Sequence, residues 1–223
     1  MGRRSQHSPD ELRQLILEAA QRIVATGGFS ELSAREIARE IGYAPGTLYN
    51  LFRNLDEILL RVEAELLDRL DKALSAEMEG RKGSDAVRRF AVAYAAFAYE
   101  HTKLWHLVQE HHPAVDQAGP DWYLEKVYAP ASRLEIVLAK LSCNPDVEEA
   151  ARTARIIWSA VHGIVQVAMT GKFGALPQST TVAMVENLVE NYLVGLAASA
   201  SKHTDGNRSD SDRRSRGASR HAS

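Results

Sequence analysis

Apolar residues in this chain recur at three- and four-residue steps through most of its length, and almost nowhere do they alternate singly with polar ones. A helix buries a stripe with a period of about 3.6 residues and a strand one with a period of about 2, so the pattern predicts an all-α fold. Short start and stop signals cut the pattern into pieces. Ser8-Pro9-Asp10-Glu11 reads as a capping box with proline in the first turn, and Leu12, Leu15, Ile16, Ala19 and Ile23 then mark one helix face that ends at Gly27-Gly28. Ser33 to Glu36 is a second capping box, opening a helix that buries Ala34, Ile37, Ala38 and Ile41 and stops at Gly42. A short helix from Pro45 to about Arg53 buries Leu48 and Phe52. Asn54 to Glu57 caps a long amphipathic helix that reaches about Glu79. Five more helices are expected at roughly 84–101, 103–112, 120–141, 145–171 and 179–199, about nine in all.

Charge excludes little by its sum and more by its distribution. Residues 1–60 carry 7 Lys/Arg against 8 Asp/Glu, residues 61–198 carry 14 against 18, and residues 199–223 carry 6 against 3. No helical part is strongly basic, so bulk charge alone points to neither nucleic acid nor membrane. No run approaches the roughly 18 apolar residues of a membrane span, and the N-terminus lacks the apolar segment of a signal peptide, so a cytoplasmic protein is expected. Cys143 is the single cysteine, which excludes an intrachain disulfide framework and a multi-cysteine metal site. Residues 199–223, rich in Ser, Arg, Asp, Gly and His, read as a disordered basic tail.

Two short helices joined at Gly42 form a helix-turn-helix, in which the first helix braces the second against the DNA major groove. The second helix turns Thr47, Tyr49, Asn50 and Arg53 outward, and Gly46 allows a close approach to the DNA backbone. Helix starts at Ser33 and Pro45 offer backbone N–H groups to phosphate without requiring net positive charge.

From Ile16 and Ala19-Ala20 through Gly27-Gly28-Phe29, Leu32-Ser33, Glu36-Ile37-Ala38, Gly42-Tyr43-Ala44, Gly46-Thr47-Leu48-Tyr49, Phe52 and Asp56-Glu57-Ile58-Leu59, the chain resembles the TetR family of bacterial transcriptional regulators. The resemblance implies a homodimeric repressor with a three-helix DNA-binding domain (1–55) and an all-helical ligand-binding and dimerisation domain (56–198). It implies release from a palindromic operator in double-stranded DNA by a small-molecule effector. Carried over by position, it implies DNA contacts from Ser33, Arg35, Ala44, Pro45, Gly46, Thr47, Tyr49, Asn50 and Arg53, with Arg3 and Arg4 as an arm beside the duplex. Leu55 stands where the family usually carries a phosphate-contacting lysine, and Leu51 where a polar residue is common, which leaves Asn50 to read bases. Trp158, His162 and Gly163 are similar to the signature of one TetR C-terminal subclass.

The helix after Pro145 carries two apolar stripes, Ile157, Val161, Ile164 and Ala168 on one side and Trp158, His162, Gln166 and Met169 on another. Two stripes predict burial on two sides. With the apolar last helix (Val182, Val185, Val189, Tyr192, Leu196), this predicts an isologous homodimer through the last two helices. A pocket for a hydrophobic or aromatic effector is expected among Tyr94, Phe97, His101, Trp105, His106, Gln109, Trp122, Tyr123, Trp158 and His162, with Tyr128 nearby, although core packing accounts for any one of them singly. His106, Glu110, His111 and His112 suggest zinc, but His111 and His112 diverge and Pro113 ends the helix, so no metal and no cofactor is expected. A redox role for Cys143 is weak on the same grounds of a lone residue. Two other classes compete. An enzyme lacks any phosphate loop or nucleophile elbow in the sequence, and a helix-turn-helix scaffold governed by a protein partner is separated only by experiment.

Overall fold

The computed structural model describes residues 7–111, 119–140, 147–171 and 174–218, with side chains to 199. Among them are nine α-helices and no strand: α1 (Pro9–Gly27), α2 (Ala34–Ile41), α3 (Pro45–Leu48), α4 (Leu55–Met78), α5 (Gly83–Glu100), α6 (Thr102–Glu110), α7 (Asp121–Ala139), α8 (Val147–Thr170) and α9 (Gln178–Ala218). A 3-10 turn, Phe29–Glu31, links α1 to α2. No helix among the described residues is long and apolar enough to cross a membrane.

The predicted caps form, with local differences that the geometry explains. Ser8 accepts from the Glu11 N–H while its own N–H donates to the Glu11 carboxylate, a complete capping box. At α2 only half of the box closes. Ser33 Oγ accepts from the Glu36 N–H at 3.2 Å, but the Glu36 carboxylate turns to the Arg39 guanidinium instead. At α4 Asn54 accepts from the Glu57 N–H, and Glu57 reaches one residue further back, to the Arg53 N–H at 2.8 Å.

One further expectation is corrected. The second helix of the helix-turn-helix is a single α-turn ending at Leu48 rather than a helix to Arg53. Beyond it the N–H groups of Asn50 and Leu51 bond three residues back, to Thr47 and Leu48, before the Phe52 N–H closes a last bond on Leu48. This tighter winding still turns Leu48 and Phe52 inward, where they are 0% and 2% exposed. At the other end, the helical backbone of α9 continues to Ala218. Extending a helix that is already nucleated and packed adds one hydrogen bond per residue fixed, a far smaller demand than starting one.

The core has two regions that share α4. Ile16, Ala20 and Val24 of α1, Ile37 and Ala38 of α2, Leu48, Phe52 and Ile58 close the N-terminal unit. Leu66, Leu70 and Leu74 of α4 meet Phe90 and Ala91 of α5, which lies in turn against α8 and α9. Three polar ties brace α4 against α7: Lys126 to Asp68 at 2.6 Å, Arg133 to Asp71 at 2.6 Å, and Arg133 to Ser75 at 3.1 Å.

Candidate nucleic-acid interface and effector region

The left-handed Gly42 (φ 73°) ends α2, and the Tyr43 N–H returns to the Ala38 carbonyl, so the chain reverses within two residues. A Cβ at Gly42 would meet no other atom, so the need for glycine there is conformational and not spatial. The His7 imidazole, one residue before the α1 cap, bonds the Tyr43 hydroxyl of this turn at 2.7 Å. The reversal brings Arg35, Ala44, Pro45, Gly46, Tyr49, Asn50 and Arg53 together as exposed residues, with Ser33 and Thr47 half-buried behind them. Tyr49 is 51% exposed although large and aromatic. Such a side chain on a surface otherwise lined with small and polar groups is suited to contact with another molecule.

The electrostatics of this face are selective. Arg39 is held by Glu36, and Arg22 by Glu40 at 2.6 Å, so two of the local cations are neutralised. Among the described residues Arg35 forms no ion pair, and Arg53 attracts the Glu57 carboxylate without closing one. Burial opposes charge on Glu57, but the Arg53 N–H and the Arg61 guanidinium outweigh it and hold the carboxyl below its ordinary value. Glu57 thereby fixes the backbone beneath the Arg53 side chain. The phosphate-binding capacity expected of the helix starts is smaller than the sequence suggested. Pro45 has no N–H and the Thr47 N–H is used on Ala44, which leaves Gly46 to supply that turn. The space over Gly46 is open. Leu51 and Leu55 are packed against the core, so neither reaches outward. Arg3 and Arg4 lie outside the described residues.

In the C-terminal unit the expected effector residues divide into two groups. Tyr94 and Phe97 of α5, Trp105 of α6, and Trp158 and His162 of α8 converge. The Tyr94 hydroxyl bonds His162 Nδ1 at 2.7 Å, Trp105 stands edge-on to Tyr94 at 5.3 Å, and Trp158 stacks on His162 at 5.7 Å. Phe97 touches Trp105 and also His101, whose ring faces the Arg69 guanidinium at 3.0 Å. Burial holds Tyr94 in its phenol form and lowers the proton affinity of His162, so the pair is neutral.

The second group stands at the junction of the two units. Tyr123 does not offer its hydroxyl to a pocket: it donates to Glu63 Oε2 at 2.5 Å. His111 Nδ1 meets the other oxygen of Glu63 at 2.5 Å, and Phe29 of the N-terminal unit packs against the His111 ring at 6.2 Å. Burial works against charge on His111, but the Glu63 carboxylate, with Asp56 at 3.6 Å behind it, raises its pKa above the ordinary histidine value. Burial and the same carboxylate push the Tyr123 phenol up. Trp122 lies under the Arg61 guanidinium, 5.2 Å from its ring centre, and edge-on to Tyr123 at 6.1 Å.

No described contact joins Gln109 to either group. His106 faces Glu110 at 3.4 Å, and among the described residues no group of three His, Cys, Asp or Glu could hold a metal ion. Tyr128 is exposed. His112 and Cys143 lie outside the described residues.

Glu63 was missed in the sequence. Its signal was there: it stands four residues after Leu59 and four before Leu67, an acid on an otherwise apolar stripe, and it is 1% exposed. Of the two α8 stripes, the one of Trp158, His162, Gln166 and Met169 is half-buried. Trp158 and Met169 pack against the core, and the large apolar residues that α8 leaves exposed are Val147, Ile156 and Val167.

A bracing helix, a glycine turn and an exposed polar strip over a buried apolar floor define a helix-turn-helix DNA-binding regulator. Residues 16–62 match the family model described as bacterial regulatory proteins, tetR family, and residues 87–192 match the tetracyclin repressor-like C-terminal domain. The chain belongs to the TetR family of transcriptional regulators, which are DNA-binding proteins and not enzymes. It is 28% identical over 165 residues to an HTH-type transcriptional regulator of Mycobacterium tuberculosis, covering 71% of each chain. A TetR-like transcriptional regulator from Rhodococcus sp. RHA1 shares the fold, with a TM-score of 0.59 and 20% identity over 85% of this chain and 100% of that one. So does FadR from Bacillus subtilis, solved with stearoyl-CoA, with a TM-score of 0.63 and 16% identity over 79% of this chain and 96% of that one.

Proposed function

We propose that this regulator is a cytoplasmic homodimeric repressor, released from a palindromic operator by a small hydrophobic or aromatic effector. The observation that carries the reading is that one helix, α4, belongs to both units. Its first turns seal the helix-turn-helix core through Ile58, and its later turns meet α5 and α7, the helices that flank the aromatic groups. A ligand that moves α5 or α7 would therefore move α4, and with it the spacing between two recognition turns. Lys103 of α6 donating to the Thr26 carbonyl of α1 is a second tie of the same kind.

Ser33, Arg35, Ala44, Pro45, Gly46, Thr47, Tyr49, Asn50 and Arg53 form the DNA face in this reading. Tyr49, Thr47 and Arg53 hold the backbone, and Asn50 reads bases. Dimerisation is assigned to α8 and α9. The support is that Ile156 and Val167 on α8, and Met184 and Val194 on α9, are large apolar residues left exposed in one subunit. The effector region is assigned to the Tyr94, Phe97, Trp105, Trp158 and His162 cluster, on its own aromatic composition and not on the ligand of FadR.

Footprinting on the DNA flanking the protein's own gene, at several salt concentrations, tests the reading. A protected palindrome of about one to two helical turns is expected, with a modest salt dependence of about −0.9 in log–log slope for each phosphate contact. A slope of about −10 contradicts the small number of free cations on this face. Failure to protect any site, followed by failure to enrich one from random sequence, overturns it.

A further inference from the structure

The indole nitrogens of Trp105 and Trp158 are buried and have no hydrogen-bond partner among the described residues. Trp105 itself is 2% exposed. A buried N–H without an acceptor is costly, and native cores contain few of them, so a pair around one ring invites an explanation. The two tryptophans flank His162, with ring centres 6.4 and 5.7 Å from it.

The protonation of His162 follows from its partners. Tyr94 remains a phenol and His162 is neutral, so the phenol O–H is assigned as donor to Nδ1 and the proton of the neutral imidazole resides on Nε2. Three N–H groups thus belong to a single aromatic cluster whose other members, Tyr94 and Phe97, offer ring faces. Among the described residues no carboxylate forms a hydrogen bond or ion pair with the five side chains, and the Arg69 guanidinium meets His101, which stands against Phe97 at the outer end of the cluster. A cationic ligand would find no counter-charge here, and a carboxylate would be desolvated against neutral donors alone.

We propose that the effector is a flat, uncharged molecule bearing a hydrogen-bond acceptor such as a ketone or ester carbonyl, oriented by the indole N–H groups of Trp105 and Trp158 beside His162. This deepens the effector reading above and rests on it. The rings supply stacking area, which every aromatic molecule can use, and the donors supply the discrimination.

Calorimetric titration of the full-length protein with three probes that share one ring system separates the two claims. Acetylnaphthalene, with a carbonyl, is expected to bind about tenfold more tightly than naphthalene, and naphthoate more weakly than acetylnaphthalene. Trp105→Phe and Trp158→Phe, checked for folding by circular dichroism and melting, lose ring area as well as the donor, so the readout is the ratio of the two affinities within each variant: both ligands weaken, and the roughly tenfold advantage of acetylnaphthalene over naphthalene is expected to fall to about one. If the variants do not fold, the three-probe comparison on the parent protein decides. Equal binding of acetylnaphthalene and naphthalene overturns the donor assignment, with the indole N–H groups then satisfied by ring faces around them, while the effector reading stands. Tighter binding of naphthoate overturns the uncharged ligand. Binding of none of the three overturns the aromatic cluster as an effector site, and this proposal with it.

Discussion

Glu63→Gln tests whether the buried junction between the two units is electrostatic. Glu63 is 1% exposed and the His111 side chain 5%, so their 2.5 Å contact is shielded from solvent. Glutamine keeps an oxygen for the Tyr123 hydroxyl and the same volume, and loses the charge opposite His111. A charge-assisted hydrogen bond contributes about 1.5–3 kcal/mol, and only that one is removed. At this chain length each kcal/mol moves the melting temperature by about 2–4 °C, so a fall of about 3–12 °C is expected. The pH dependence carries the sign. Glu63 raises the folded-state pKa of His111, so the stabilisation is complete below the ordinary value of 6.5 and is lost as pH rises through the folded value. Melting curves of parent and variant measured from about pH 6 to pH 9 should therefore lie furthest apart at the acid end and draw together above it. A variant that melts within about 1 °C of the parent at pH 6, or a gap that widens with rising pH, refutes an ion pair at this junction.

Three further outcomes are expected. Gly42→Ala places a Cβ on a left-handed residue with open space around it, so it should destabilise the N-terminal unit by about 1–2 kcal/mol; hydrogen exchange of the α1 and α2 amides reads this, and unchanged protection contradicts it. Tyr49→Ala should weaken binding to every DNA sequence, whereas Asn50→Ala should relax preference at particular base pairs in a binding selection; a uniform loss for Asn50→Ala removes its base-reading role. Val167→Glu places a charge on an exposed apolar residue of α8 and should shift the protein to monomer in sedimentation velocity, and an unchanged mass would exclude this face from the subunit interface.

Helix identity, polarity of each face and most caps could be read residue by residue because they depend on neighbours three or four positions away. Ser8, Gly42, Leu48 and Phe52 do in the structure what their local spacing demands. The helix-turn-helix, built from such local signals over some twenty residues (33–53), was therefore visible before any coordinates. The limits of the sequence appear where one surface has two candidate partners. Periodicity showed two apolar stripes on α8 but could not say which met the core, and the inward turn of Trp158 and His162 is decided by Tyr94, 68 residues before His162. Likewise nothing local distinguishes Tyr123 as a donor to Glu63, 60 residues away, from Tyr123 as a pocket wall. Side-chain hydrogen bonds between helices depend on how the helices dock. Docking is settled by the summed packing of many residues, so these partners exist only in the tertiary structure.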